Sequence, residues 1–154
     1  QAENIYIAES NSLKTIKDIG GTFQLTEGYF NKTKFSIDGR LLEVKSKGYK
    51  TQFSWSNIFG FDRITSITNP NGSITIINYD ATGKIESITY PDGSVTYIYS
   101  QDKLTQISSS KSFSMTFGWD DNDNIGTVTD PRGSIWYYNC AQNGICKYIQ
   151  DNYR

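Results

Sequence analysis

The sequence contains no histidine. Ser-His-Asp and Cys-His catalysis both need an imidazole as general base, and neutral imidazole is the commonest metal ligand, so one absence removes several classes of chemistry. Cys140 and Cys146 are the only cysteines, and two sulfurs without histidine make an incomplete zinc ligand set. No metal and no cofactor is expected. No stretch approaches the roughly 18 apolar residues that a membrane helix needs, and no basic start followed by an apolar run stands at the N-terminus. We therefore expect a soluble chain without a membrane span, from which any export signal has been removed. Fifteen Lys and Arg against sixteen Asp and Glu give a net charge of -1. No run of Lys or Arg forms a stripe that follows a phosphate backbone, so nucleic acid is not an expected partner.

What is abundant is aromatic: 14% of the residues, with 11 Tyr, 8 Phe and 3 Trp. Apolar mass carried on Tyr and Ile, with a single Met, suits pleated surfaces better than helix bundles and points to an all-β chain. At 154 residues one domain is expected.

The chain repeats itself. "GKIESITYPDGS" at 83–94 has close copies in "DRITSITNPNGS" at 62–73 and "DNIGTVTDPRGS" at 123–134, and weaker ones at 39–48, 102–112 and 143–152. Paired apolar markers fall at Leu41/Val44, Ile64/Ile67, Ile85/Ile88, Leu104/Ile107, Ile125/Val128 and Ile145/Tyr148. "SLKTI" at 12–16 is a degenerate seventh copy. Each unit carries two turn signals. Pro91 and Pro131 suit the second position of a turn, and Gly93 and Gly133 stand two residues later, where a left-handed residue closes a type I turn with a bulge. Asp80 and Gly83 permit the same geometry, the carboxylate bonding its own backbone. Two reversals per unit predict about one β-hairpin per repeat: an antiparallel meander of six to seven hairpins forming an open curved sheet or short coil. One array over residues 1–154 is expected, with 1–34 a divergent N-terminal cap, 35–139 the repeats and 140–154 a C-terminal cap.

Alternation assigns faces. Val95, Tyr97 and Tyr99 oppose Thr96 and Ile98, and Ile135 and Tyr137 oppose Trp136 and Tyr138. The marker strand breaks the pattern, since residues three apart point to opposite faces of a regular strand; either a bulge or a sheet covered on both faces would account for it.

Candidate sites follow from these placements. Tyr97, Tyr99, Trp119, Trp136, Tyr137 and Tyr138 are candidate binding rings, for stacking on sugars or anchoring a protein partner, the plainer alternative being cross-strand ladders that hold a half-buried sheet together. Cys140 and Cys146 flank Asn143-Gly144, a hairpin signal that allows a disulfide or leaves two reduced core residues. Asp62, Asp80, Asp92, Asp120 and Asp130 sit in or beside turns, where Asx bonding accounts for them without opposed catalytic carboxylates. "WDDNDNIG" at 119–126 has calcium-like D-x-N-x-N spacing, but Ile125 stands where that loop needs Gly and Pro131 where it needs Glu. "NKT" at 31–33 and "NGS" at 71–73 match glycosylation acceptors, the second lying in a turn.

The stretch "NYDATGKIESITYPDGSVTYIY" resembles the YD repeat of the rearrangement-hotspot (Rhs) family: Tyr79-Asp80, then Gly83-Lys84-Ile85, a Pro-x-Gly turn and a Tyr-rich strand. Trp119-Asp120 with Ile125 keeps the spacing, while Tyr99-Ser100 and Phe35-Ser36 depart from it. In that family YD arrays coil into shells around toxic cargo, and similar shells occur in animal adhesion proteins. The resemblance implies repeated hairpins, a bacterial protein exported to the periplasm, cell surface or medium, and a non-catalytic role in binding. The partner expected is a protein of a toxin-delivery or contact-dependent system, with the chain as shell fragment or cognate neutralising partner; the alternative is a surface glycan or adhesive ligand. Six or seven hairpins make too little sheet to enclose a protein.

Overall fold

A computed structural model of the chain describes the backbone of residues 5–7, 14–140 and 146–151, with side chains over 14–139. The chain falls into two compact units, residues 1–77 and 78–154. The first holds β1 (Ile5–Ile7), β2 (Lys14–Asp18), β3 (Thr22–Glu27), β4 (Asn31–Ser36), β5 (Leu41–Ser46), β6 (Tyr49–Ile58), β7 (Phe61–Thr68) and most of β8 (Ile74–Tyr79). The second holds the end of β8, β9 (Ile85–Tyr90), β10 (Gly93–Ser100), β11 (Lys103–Ser109), β12 (Phe113–Trp119), β13 (Ile125–Thr129), β14 (Ile135–Cys140) and β15 (Cys146–Asp151). Among the described residues there is no helix, and within each unit the strands pair antiparallel with their sequence neighbours and with nothing else, an open meander as expected.

The reversals explain the meander. Loops 36–40, 69–73, 80–84, 120–124 and 130–134 share one geometry: the first residue's N–H donates to the fifth residue's carbonyl at 2.8–2.9 Å, and the fourth residue's N–H donates to the first residue's carbonyl at 2.9–3.2 Å. The fourth residue is left-handed in each, with φ of 82° at Gly83 and 86° at Gly133, and Asp123 filling the position at 64°. "DATG" and "DPRG", unlike in sequence, are thus the same type I turn with a G1-type bulge. Pro70 and Pro131 occupy the second position, where a fixed φ near -65° is already correct.

The turn at Pro91 is different. Gly93 pairs directly with Tyr90 across a two-residue loop and is not left-handed. The expectation of a left-handed Gly93 is therefore corrected: glycine is needed there for space, since a Cβ would stand 2.8 Å from Ser110 Oγ and 3.2 Å from the Tyr90 ring. Two-residue loops at 47–48, 59–60 and 101–102 have both central residues at positive φ, as type I′ hairpins require.

The register also resolves the marker strand. Ile98 pairs with Gln106 and Tyr99 with Leu104, so Thr105 is an extra residue opposite none. Corresponding shifts leave Leu42, Thr65 and Gly126 as the extra residue of β5, β7 and β13. A bulge between the markers restores their common face: Leu104 and Ile107 pair with Tyr99 and Tyr97 and lie on one side. Of the two alternatives, a bulge or a sheet covered on both faces, the register shows the bulge in β5, β7, β11 and β13. In the last repeat the shift lies between Tyr137 and Tyr138, and Tyr148 pairs with Tyr138. Tyr148 therefore takes the first marker's backbone position, where the sequence pattern had put Ile145.

Each meander has an apolar face built on the markers and a polar face of Thr, Ser, Lys and Gln. Burial is shallow. Val128, beside Phe117 and Trp136, is the one buried apolar residue among those described. The rings are covered by neighbours on the same face more than by a second layer.

Candidate binding surface

The repeat-defining rings are tied into the sheet. Trp55 Nε1 donates to the Leu41 carbonyl at 2.8 Å, Tyr99 Oη to Ile85 at 3.1 Å and Trp119 Nε1 to Leu104 at 2.8 Å. Each ring thus satisfies the carbonyl of the first marker one repeat earlier. The basic residue just before that marker completes the joint. Lys84 Nζ lies 5.2 Å from the Tyr99 ring centre and 2.5 Å from Asp102, and Lys103 Nζ lies 5.7 Å from the Trp119 ring centre and pairs with Asp123. Arg40 pairs with Asp62 at 2.6 Å in the same way. Burial, more than any charge, pushes the Tyr99 hydroxyl above its ordinary range. Tyr97 shares this face through its pairing with Ile107, as does Trp136 opposite Val128. Tyr138 stands two residues from Trp136, and Tyr137 lies on the other face, opposite Thr127. Tyr97, Tyr99, Trp119, Trp136 and Tyr138 are half-buried, with Tyr137 more open. Cys140 and Cys146 are register partners across β14 and β15, but a bridge between them lies outside the described side chains.

The turn carboxylates are also occupied. Asp80 Oδ1 accepts from the Thr82 amide at 2.8 Å, the Thr82 hydroxyl at 2.7 Å and the Lys84 amide at 3.0 Å. Asp120 Oδ1 accepts from the Asn122 and Asn124 amides, and Asp130 Oδ1 from the Arg132 and Ser134 amides. The Thr82 hydroxyl holds Asp80 below the usual carboxylate range, the Asn124 amide does so for Asp120, and Lys111 does so for Asp92. Among the described residues no group of His, Cys, Asp or Glu could hold a metal ion, and no helix is long and apolar enough to cross a membrane.

Open apolar surface lies elsewhere. Tyr29, Phe30, Ile37, Tyr49, Phe59 and Phe61 are each between 64% and 84% exposed, and all six sit in or beside turns of residues 1–77. In a meander alternate turns share an edge. Tyr29 and Phe30, with ring centres 6.5 Å apart, lie at the β3–β4 turn; Tyr49 follows at β5–β6 and Asn69 to Ser73 at β7–β8. Tyr49, Asn69, Pro70, Asn71 and Ser73 line an open depression of about 370 Å³. Asn69 Nδ2 donates to Ser73 Oγ, and Asn71 Oδ1 accepts from the Ser73 amide, both at 3.0 Å. Each amide retains further hydrogen-bonding capacity.

These residues escape a search for alternation, because they stand where alternation stops. Their signal is an aromatic beside a turn glycine: "GYF" at 28–30, "GY" at 48–49 and "FGF" at 59–61. A hydrophobic ring at an exposed turn has no ladder to join, so it leaves apolar surface open at the margin of the sheet.

Residues 60–95 match the family model for the RHS Repeat. No curated protein matches the chain. The chain carries the YD/Rhs repeat, and residues 60–95 belong to that family.

Proposed function

We propose that this chain is a non-catalytic YD/Rhs-repeat binding module that engages a protein partner of a bacterial toxin-delivery or contact-dependent system, as a shell fragment or as a cognate partner that neutralises a toxin. It acts outside the cytoplasm, in the periplasm, at the cell surface or in the medium. One observation carries this reading: the most exposed large apolar residues gather on the turns of residues 1–77, while the sheet's rings and the turn carboxylates already have partners in the chain. Exposed Tyr and Phe at the rim of a rigid meander suit hot-spot contacts, giving large contact area at low entropic cost.

Affinity capture from envelope and secreted-protein extracts tests it, with Tyr29→Ser/Tyr49→Ser as the control variant. A stoichiometric protein retained by the chain and lost with the variant is expected; retention unaffected by the variant would exclude the turn rings as the contact.

A second reading rests on the depression beside Tyr49, where one ring meets two asparagine amides and a serine, a lining suited to a sugar. Retention on polysaccharide that free sugar reverses, and that Tyr49→Ala abolishes, would favour it over a protein partner.

A further inference from the structure

Strand pairing assembles a charged row that the linear sequence disperses. Lys32 of β4 pairs with Lys45 of β5, and Lys45 pairs with Lys50 of β6. The three Cα positions follow one another at the interstrand spacing of about 4.8 Å, on the polar face and one row in from the edge that carries Tyr49. All three side chains are exposed, and among the described residues none has a carboxylate partner. Like charges directly opposite one another in a sheet are destabilising, so the isolated chain bears a cost that a bound anion would relieve.

We propose that this row is a docking surface for an acidic protein, which rests on the protein-binding reading above and names the charge of the partner. The surroundings select a polypeptide over a polysaccharide or a nucleic acid. In the next row Lys34 stands 4.0 Å from Glu43, so the lysines adjoin a pair of opposite charges. Ile74 and Ile76, on the same face through their pairing with Thr68 and Ser66, are 50% and 46% exposed. Discrete charges of both signs beside open apolar side chains match the mixed chemistry of a protein interface. No ring lies in the lysine row or in the Lys34–Glu43 row, so a nucleic acid base there has nothing to stack on short of Tyr49 at the edge.

The test uses fluorescently labelled poly-L-glutamate as the probe of an acidic polypeptide, with hyaluronate and a single-stranded DNA oligomer at equal charge concentration, each titrated with the full chain at low and at physiological salt. Poly-glutamate should bind tightest and lose affinity by about tenfold or more with Lys32→Gln/Lys45→Gln/Lys50→Gln. The triple variant should keep its circular dichroism, because the three side chains are on the open face. Lys14→Gln/Lys111→Gln, which removes cations already paired with Glu27 and Asp92, should bind as the parent does. Equal binding by the triple variant, or tighter binding of hyaluronate or DNA than of poly-glutamate, would overturn the proposal. Either result leaves the turn-ring capture experiment to decide the broader protein-binding role separately.

Discussion

Two glycines ten residues apart are required for unrelated reasons. At Gly83, φ of 82° is the constraint. At Gly93 the backbone is ordinary and the constraint is the side chains of Ser110 and Tyr90. Gly83→Ala should destabilise by about 1 kcal/mol, and Gly83→Asn by less, because Asn tolerates the left-handed region. At Gly93 the order should reverse, with Gly93→Asn costing more than Gly93→Ala because the larger side chain has the same contacts to clear. Urea unfolding of the four variants measures this; the same order at both sites would show that the two turns are under one constraint. The distinction was not legible in the sequence, where both residues close a turn signal. It depends on whether the loop between the paired residues has two residues or three.

At the scale of the strand, the bulge is the organising element. It brings together markers that a regular strand would separate, and it leaves at the first marker a carbonyl that the next repeat's aromatic residue satisfies. Tyr99→Phe keeps the ring but removes the donor to Ile85, and the protein should lose about 1 kcal/mol in urea unfolding; unchanged stability would mean that water replaces the bond at no cost. Repeat, hairpin and aromatic strand were readable from the sequence because each is local: a period, a turn residue, an alternation of two. The bulge was readable as one of two alternatives. Its selection needed the partner strand's register, which the one-dimensional pattern does not carry. The exposed rings at Tyr29, Tyr49 and Phe59 and the lysine row were missed for a related reason. The rings stand where alternation stops, and the lysines meet only when three strands are laid side by side.

For the molecule as a whole, acid is the informative perturbation. Asp80, Asp92 and Asp120 are held below the ordinary value of 3.8 in the folded chain. The unfolded chain therefore binds more protons in that range than the folded one. The contribution of these groups is fully present above the ordinary carboxylate value and is lost as pH falls through the lower folded values. With no histidine to titrate, the urea midpoint should stay level through mildly acidic solution and fall below about pH 4. Asp80→Asn/Asp120→Asn should flatten that fall; a midpoint that already declines near pH 6 would assign the pH dependence to other groups.

The identity of the joints between hairpins bears on heredity as much as on stability. Arg40, Lys84 and Lys103 each reach toward an acid in the following repeat, and Trp55, Tyr99 and Trp119 each reach back to a carbonyl in the preceding one. A gene segment encoding one such unit can be duplicated or lost in frame, and the new neighbours will still fit, because these three junctions offer the same plug and socket. Genes for arrays joined in this way should differ in length by whole hairpins, with insertions of other sizes confined to the turns.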